Sequence, residues 1–294
     1  MKLAVFNDYR LAVVCDDRLY DVTSVLPASV QELPQQRMNW LIANWSLVRE
    51  RVEAMYREAE PIALDQVKLL PPSPHPSHVF AAPANYRKHV GELGARSVSK
   101  GRTAREQGFF LKAPGSLVGA GNRIVLPKGS IRRFDHESEL AVIIGRTARN
   151  VPREEALDYV FGYSCLIDAT MRIEPGVAEE ERSMRKSFAT FTPLGPFLVT
   201  ADEVDDAQSL RNQLWINGEL KQDANTRDMI VGIAELIELI SSVLTLSPGD
   251  VIATGTPEGV GQFSSGDRVK IAIEAVGEMS LDVVEADQCA PRAY

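Results

Sequence analysis

The most informative stretch of this sequence reads Asp135-His136-Glu137-Ser138-Glu139-Leu140-Ala141-Val142-Ile143-Ile144. Its second half is a short apolar run and predicts a β-strand. Side chains alternate between the two faces of a strand, so the first half places Asp135, Glu137 and Glu139 on one face. Neighbouring carboxylates repel one another unless they are solvated, protonated or neutralised by a cation. The stretch is therefore either a solvated acidic strand end or a site for a cation that prefers oxygen ligands, such as Mg²⁺, Mn²⁺ or Ca²⁺.

From residue 78 onward, short segments of strand character recur on both sides of this stretch, and only two good helices interrupt them. One helix is predicted after Pro152 and the other at about residues 228–241, where Thr226 or Asp228 would cap it. A doubly wound nucleotide-binding fold would need a helix between nearly every pair of strands, and this sequence has too few. The pattern predicts an α+β body that is mostly β. Its predicted strands are residues 78–82, 109–112, 123–126, 139–145, 161–168, 197–200, 214–217, 251–254, 268–274 and 279–285.

The first 70 residues predict a small α+β domain of their own. Residues 2–15 have the pattern of a β-hairpin. From Leu41 onward, apolar positions step by four and three along one helical face until Pro61 ends the helix. Residues 71–77 read Pro-Pro-Ser-Pro-His-Pro-Ser, which favours extended geometry and predicts a linker. The predicted organisation is a small domain at 1–70, a Pro-rich linker at 71–77 and a main domain at 78–294.

The composition excludes several classes of protein. The chain has 294 residues with 32 basic and 40 acidic side chains, a formal net charge of −8, so we expect no nucleic-acid partner. No apolar stretch approaches the roughly 20 residues of a membrane helix, so we expect no membrane partner. The three cysteines lie far apart, and the first residues lack the features of a signal peptide. We therefore expect a cytoplasmic protein with reduced thiols.

Two further positions carry candidate chemistry. Asp168 closes the apolar run 161–167, where an ionised carboxylate needs a partner such as Arg172. Alternatively, Asp168 caps a turn at the strand end. His89 and Glu92 are three residues apart in a short helical segment, so both lie on one face and can form an acid-base pair. The alternative is an exposed histidine beside a surface glutamate.

The turn at residues 254–261 reads Thr-Gly-Thr-Pro-Glu-Gly-Val-Gly and follows a predicted strand. Glycines and hydroxyls in such a turn can present N–H groups to an anion, for example a substrate carboxylate. The turn lacks the Gly-Lys-[Ser/Thr] of a phosphate loop, so nucleotide binding is not indicated. A plain tight connection is the alternative.

Taken in order, these segments resemble the fumarylacetoacetate hydrolase family over roughly residues 71–285. Each segment is weak evidence alone, but the ordered set is specific. The matching pieces are Asn85-Tyr86-x-x-His89-x-x-Glu92, Lys112-x-Pro114-x-Ser116, Asp135-x-Glu137-x-Glu139-Leu140, Gly162-Tyr163 with Asp168 and Arg172, Lys186-Ser187-Phe188, Pro193-Leu194-Gly195-Pro196, Asn217-Gly218-Glu219 with Gln222 and Thr226, and Thr245-Leu246-x-Pro248-Gly249-Asp250 continuing through Thr256-Pro257.

The resemblance implies a mixed β-sandwich roll for the main domain, which would be catalytic, and usually a homodimer. It also implies an Mg²⁺ or Mn²⁺ cofactor. Three carboxylate ligands would leave about three of six octahedral positions for water and a chelating 2-oxo acid. The implied site residues are Glu137, Glu139 and Asp168 for the metal, His89, Glu92 and Lys186 for catalysis, and Tyr86, Arg172, Gln222 and Thr256 for substrate contact.

The implied reaction is hydrolysis of a C–C bond in an acylpyruvate-type acid, as in the catabolism of aromatic compounds. A water polarised by His89 with Glu92 would attack the 4-oxo carbon and release the enolate of pyruvate. The same enolate chemistry without the attacking water gives an isomerase or an oxaloacetate-type decarboxylase, which is the first alternative. A non-catalytic domain that binds an oxo acid or a metal is the second. The chain departs from many relatives at Ile173, at Ala189 and in residues 174–183, which leaves the acyl group open.

Overall fold

Strands outnumber helices in this protein. The computed structural model describes residues 1–93, 101–173 and 182–289, and within them twenty strands form three sheets. The strands are β1 (Lys2–Phe6), β2 (Arg10–Cys15), β3 (Arg18–Asp21), β4 (Pro61–Ala63), β5 (Leu69–Leu70), β6 (Val79–Ala81), β7 (Phe110–Lys112), β8 (Leu117–Val118), β9 (Ile124–Leu126), β10 (Phe134–His136), β11 (Ser138–Ile144), β12 (Val160–Ile167), β13 (Thr170–Met171), β14 (Thr192–Thr200), β15 (Arg211–Ile216), β16 (Glu219–Asn225), β17 (Val251–Ala253), β18 (Gly261–Gln262), β19 (Arg268–Ile273) and β20 (Gly277–Glu285).

The helices are short and few. The α-helices of the described residues are α1 (Ala28–Gln31), α2 (Arg37–Ala43), α3 (Trp45–Glu58), α4 (Arg87–Leu93), α5 (Ala104–Gln107), α6 (Arg182–Arg185) and α7 (Ile233–Val243). None of these helices combines the length and apolar character that a membrane crossing requires.

The largest sheet has twelve strands and supplies the framework of the site. Its order is β4-β3-β2-β1-β14-β12-β11-β17-β6-β7, with β5 beside β1 and β8 beside β14. A five-stranded sheet has the order β16-β15-β19-β20-β9, and a three-stranded sheet the order β13-β10-β18. Most neighbours are antiparallel, but β14–β8, β17–β6 and β20–β9 are parallel. The predicted fold class, α+β and mostly β, is confirmed.

Strand β11 lies in the middle of the large sheet and is buried on both faces. Leu140 and Val142 join the core that faces the five-stranded sheet and α7. Ala141 and Ile143 join a second core, which is covered by α2 and α3. All four side chains are 0% exposed. This double burial explains the uninterrupted apolar run, and it holds the acidic residues before β11 on a rigid strand.

The N-terminal residues are part of the large sheet. β1 pairs antiparallel with β14, with Lys2 opposite Val199 and Leu3 opposite Leu198. The Pro-rich segment is packed against the body, since the buried Ser73 hydroxyl donates to Gly249 O at 2.6 Å. The division into domains at residues 71–77 stays a prediction, and the sheet itself runs across it.

Two helices differ from their predictions. Residues after Pro152 form a 3₁₀ helix, Arg153–Tyr159, where an ordinary helix was expected. The later helix begins at Ile233, five residues beyond the predicted start. The cause is Asn85, whose backbone O accepts from Ile230 N–H and whose side chain accepts from Val231 N–H, both at 2.8 Å. These bonds hold the segment before α7 in a non-helical conformation.

The predicted first helix is two helices. Asn44 separates α2 from α3, and its side-chain amide donates to Trp40 O at 2.8 Å. The helix predicted from Leu41 onward is therefore interrupted between Leu41 and Trp45. Leu41, Val48 and Val52, which form its predicted apolar face, are nonetheless buried.

Candidate active site

Three carboxylates converge where β11 begins and β12 ends. Glu137 directly precedes β11, Glu139 is the second residue of that strand, and Asp168 directly follows β12. The antiparallel pairing places Ser138 opposite Ile167, and Asp168 N–H donates to Glu137 O at 2.8 Å. One oxygen from each carboxylate lies within 4.8 Å of the others, and all three residues are buried. The structure thus brings together the three predicted metal ligands.

Cationic side chains surround two of these carboxylates. Lys186 Nζ donates to Glu137 Oε2 at 2.7 Å and also to Asp168. Lys112, which is fully buried, donates to the other oxygen of Asp168. Arg172 Nη2 donates to Glu137 Oε1 at 2.8 Å. Burial raises the pKa of Glu137, but the charges of Lys186 and Arg172 outweigh burial and hold that pKa below its usual range.

Glu139 is in a different position. Its carboxylate accepts from Gly255 N–H at 2.7 Å. Among the described residues, no lysine or arginine forms an ion pair with it. Burial and the neighbouring Asp168 raise its pKa well above the usual value. A buried carboxylate without a cation, beside two others, is an oxygen-ligand set that fits a divalent ion such as Mg²⁺ or Mn²⁺.

The predicted acid-base pair is also formed. His89 and Glu92 both lie on α4, and His89 Nδ1 is 3.4 Å from Glu92 Oε2. His89 is 4% exposed, whereas the Glu92 side chain is 40% exposed. Gly259 N–H donates to both carboxylate oxygens of Glu92 at 3.2 Å. Glu92 is therefore fixed between the histidine and a turn that lies far along the chain.

A cavity of about 490 Å³ joins these groups. Eight of the ten predicted site residues line it, and Tyr86 and Gln222 do not. The lining residues are Ala82, Pro83, Ala84, His89, Glu92, Gln107, Phe110, Arg133, Asp135, Glu137, Glu139, Asp168, Arg172, Ile173, Arg182, Arg185, Lys186, Thr256 and Val260. The roles assigned to the predicted residues stay predictions.

Tyr86 and Gln222 lie behind the cavity wall, and both are 0% exposed. Burial, with Glu139 nearby, raises the pKa of Tyr86 well above its usual value. Both polar atoms of the Gln222 amide are hydrogen-bonded to protein groups. Its oxygen accepts from Ser138 N–H at 3.0 Å, and its nitrogen donates to Thr256 Oγ1 at 2.9 Å. Neither side chain reaches the cavity in this structure.

Two expectations about charged side chains were wrong, one for an ion pair and one for a shared strand face. Arg172 was predicted to pair with Asp168, but its guanidinium contacts Asp135 and Glu137. Asp135 was grouped with the carboxylates before β11, but it pairs with Arg172 at 2.6 Å and Arg133 at 2.5 Å. Asp135 belongs to β10, in the three-stranded sheet, so its side chain does not follow the alternation of β11. This break between strands removes Asp135 from the metal ligands.

The chain matches the family model for the fumarylacetoacetate (FAA) hydrolase C-terminal domain over residues 78–284. The chain belongs to the fumarylacetoacetate hydrolase family. The family predicted from the ordered motifs is thereby confirmed, and with it the family's mixed β-sandwich roll.

Two of the following relatives cover nearly the whole chain, and the third covers about three quarters of it. The maleylpyruvate hydrolase of Aquipseudomonas alcaligenes is 45% identical over 292 residues, which cover 96% of this chain and 99% of that protein. A solved maleylpyruvate hydrolase from Sphingobium sp. SYK-6, in complex with manganese (II) ion and pyruvate, is 43% identical with a TM-score of 0.86, covering 98% of this chain and all of that one. A 2-hydroxyhepta-2,4-diene-1,7-dioate isomerase from Mycobacterium marinum is 33% identical with a TM-score of 0.66, covering 78% and 82%.

Sequence reasoning missed several cations at this family site. Lys112 was quoted as part of a motif but given no role, although its ammonium is buried on Asp168. Alternation along the strand could not have found it, because an apolar Leu111 predicts an outward Lys112, whereas the structure exposes Leu111 and buries Lys112. Arg182 and Arg185 were also missed. Arg182 lies four residues before Lys186, a spacing that places two side chains on one face of a helix, whereas Arg185 directly precedes Lys186 and has no such signal.

Proposed function

We propose that this protein is a divalent-metal-dependent hydrolase that cleaves the C–C bond of a dicarboxylic acylpyruvate such as maleylpyruvate. The observation that carries the proposal is that the carboxylate triad and the His89–Glu92 pair face one cavity. A maleylpyruvate hydrolase 45% identical over nearly the whole chain, and a solved relative holding manganese and pyruvate, support the same reaction class and an Mg²⁺ or Mn²⁺ cofactor.

The metal and the acid-base pair have separate tasks in this proposal. When bound at Glu137, Glu139 and Asp168, the divalent ion supplies a Lewis acid for the carboxylate and 2-oxo oxygens of the substrate. Glu92 holds His89 through Nδ1, which leaves Nε2 to take a proton from water. The water oxygen then bonds to the 4-oxo carbon. His89 and Glu92 thus perform the step that distinguishes a hydrolase from an isomerase.

Lys186 serves the second half of the reaction. As the bond between carbons 3 and 4 breaks, its electron pair moves to the pyruvate fragment as an enolate, and a proton returns to carbon 3. Burial alone would lower the pKa of Lys186, but the carboxylates of Asp168 and Glu137 outweigh it and raise the pKa. Lys186 therefore stays positively charged beside the oxygens on which the negative charge develops.

The charge of the cavity supports a substrate with two carboxylates. Five lysine or arginine side chains line the described wall beside five carboxylates, and the ammonium of Lys112 lies directly behind Asp168. A bound divalent ion would add two positive charges to this set. Positive charge then exceeds negative charge among these groups, which favours an acylpyruvate whose acyl group carries its own carboxylate over one with a single charge. Maleylpyruvate has such a second carboxylate.

Substrate turnover tests the proposal directly. The purified protein with Mn²⁺ or Mg²⁺ is expected to release pyruvate from maleylpyruvate faster than from acetylpyruvate, and EDTA is expected to abolish the release. Isomerisation of the substrate, or CO₂ release from oxaloacetate without hydrolysis, would favour the isomerase or decarboxylase alternative. Bound metal with no turnover of any oxo acid would favour a binding domain.

Two further features belong to this proposal. We expect a homodimer, as is usual for the family, and a cytoplasmic location that keeps Cys15, Cys165 and Cys289 as the free thiols seen in the structure. Light scattering on the purified protein tests the first, and cell fractionation the second.

A further inference from the structure

Gln222 is a buried amide that joins two parts of the site. It lies on β16 next to an irregularity in the pairing with β15, and it is 0% exposed. Its Oε1 accepts from Ser138 N–H at 3.0 Å. Its Nε2 donates to Thr256 Oγ1 at 2.9 Å and to Pro257 O at 3.0 Å. Because Ser138 N–H can only donate and Pro257 O can only accept, the orientation of the amide is determined.

The two ends of this amide lead to different catalytic groups. Ser138 stands between the metal-site residues Glu137 and Glu139. Thr256 and Pro257 belong to the turn at residues 254–261. In that turn, Gly259 N–H donates to both oxygens of Glu92 at 3.2 Å. Gln222 therefore connects the strand that carries the metal ligands to the turn that holds the acid-base pair.

The same turn packs closely on the strand that carries Gln222. Gly259 has φ +85°, and a Cβ added there would lie 2.0 Å from Lys221 O. No side chain fits between the turn and β16 at this point. The amide of Gln222 and the contact at Gly259 fix the turn at two adjacent places, so the position of Gly259 N–H depends on both.

We propose that Gln222 is a positioning residue that sets the distance between the metal-site carboxylates and the His89–Glu92 pair. This inference rests on the proposed hydrolase function. Gln222 acts through Ser138 on one side and through Gly259 and Glu92 on the other, without contact to substrate. We call the hydrogen bonds of Gln222 to Ser138, Thr256 and Pro257 the clamp. Misplacement of a catalytic group by about 1 Å can lower a rate about 100-fold, so loss of the clamp is expected to slow the attack of water.

Gln222→Met tests the clamp, because methionine has a similar length and no amide. Gln208→Met is the matched control, since the Gln208 amide also bridges two segments by donating to Thr226 O and accepting from Ile233 N–H, and it does not line the cavity. We expect Gln222→Met to lower kcat at least about tenfold, with KM and Mn²⁺ affinity within about threefold of wild type. Gln208→Met is expected to leave all three within about twofold.

A double-mutant cycle shows through which group Gln222 acts. In a Glu92→Gln background, Gln222→Met is expected to lower kcat by less than about twofold further, because both changes remove the same alignment. An equal loss of kcat in both backgrounds would overturn the proposal. So would a rise in KM with unchanged kcat, which would make Gln222 a substrate contact. If Gln222→Met does not fold, Gln222→Glu replaces it, because it keeps the acceptor toward Ser138 and removes the amide donor.

Hydrogen exchange separates this inference from the proposed function, because it requires no turnover. The amide of Gly259 is expected to exchange faster in Gln222→Met than in wild type and to be unchanged in Gln208→Met. Unchanged exchange at Gly259 in Gln222→Met would overturn the clamp. A wild-type protein that releases no pyruvate would instead overturn the hydrolase function, and the exchange data would still decide the clamp.

Discussion

Glu92 takes its hydrogen bonds from Gly259, a residue 167 positions later in the chain. The carboxylate is thus oriented by backbone N–H, which cannot rotate away as a side-chain donor can. This fixed carboxylate is in turn 3.4 Å from His89 Nδ1. The arrangement gives the histidine one preferred tautomer and direction.

His89→Ala is expected to lose hydrolysis while it keeps the metal. Removal of a general base lowers rates by about 10²- to 10⁴-fold, and His89 is not among the three carboxylates of the metal site. Pyruvate release and Mn²⁺ titration measure the two properties. His75→Ala is the matched control, because His75 is an exposed histidine outside the cavity. Loss of Mn²⁺ affinity in His89→Ala would show that the histidine is a ligand.

Glu139→Gln is expected to lose metal affinity first. Wild-type protein should melt at a higher temperature when Mn²⁺ is added, since a ligand that binds the folded state stabilises it. In Glu139→Gln the shift should largely disappear, because the ligand set loses a charge. Without metal, the variant should be as stable as wild type or more so, since an unpaired buried carboxylate has been removed. The exposed Glu278→Gln serves as control, and an undiminished Mn²⁺ shift in Glu139→Gln would contradict the assignment.

Lys112→Met is expected to destabilise the metal-free protein. Lys112 is fully buried on Asp168, and removal of one partner of a buried ion pair costs about 3–5 kcal/mol. With Mn²⁺ bound, the deficit should shrink, because the ion supplies positive charge to the same carboxylate. Urea unfolding with and without Mn²⁺ measures both values. Lys270→Met, at a partly exposed lysine, should show neither effect, and a deficit independent of Mn²⁺ would contradict the shared-charge explanation.

Arg182→Gln is expected to reduce selectivity for dicarboxylic substrates. The Arg182 guanidinium lies 5.2 Å from the centre of the Phe110 ring, and Lys186 Nζ lies 5.4 Å from the same centre. Both cations therefore lie against the same ring of the cavity wall, and we expect Arg182 to bind the second carboxylate of an extended substrate whose 2-oxo acid end lies near Lys186. A hydrogen bond to a charged group contributes about 1.5–3 kcal/mol, so kcat/KM for maleylpyruvate should fall about 10- to 100-fold.

Acetylpyruvate is the matched substrate for this prediction, since it lacks the second carboxylate. Its kcat/KM should change by less than about threefold in Arg182→Gln. Arg153→Gln, at an exposed arginine outside the cavity, should affect neither substrate. An equal loss of kcat/KM for both substrates would indicate that Arg182 maintains the structure of the cavity wall and does not bind the second carboxylate.

The strands could be predicted because their periodicity is local. β11 was readable from its apolar run, and the positions of Glu137 and Glu139 follow from the strand that they precede and enter. The meeting of Asp168 with Glu137 depends on the register between β11 and β12, which no single segment encodes. The ordered family motifs supplied that long-range information.

The partners of the carboxylates were harder to predict. Arg172 is four residues from Asp168 in sequence, yet it contacts Asp135 and Glu137 because β13 pairs with β10. Helix α7 likewise begins late because Asn85, in a different part of the chain, binds the residues before it. Both errors have the same physical cause, since tertiary hydrogen bonds outweigh local propensity. Most of residues 174–183, where the chain departs from many relatives, lie outside the described part of the chain.

The pairing of β1 with β14 has a practical consequence for work on this enzyme. A fragment that starts at residue 78, as the family domain does, would leave β14 with an unpaired backbone edge. It would also uncover the sheet face on which α2 and α3 pack, including Leu194 and Leu198. Such edges and apolar faces promote association between chains. Residues 1–70 cover this edge and this face, so a fragment that lacks them is expected to associate with other copies.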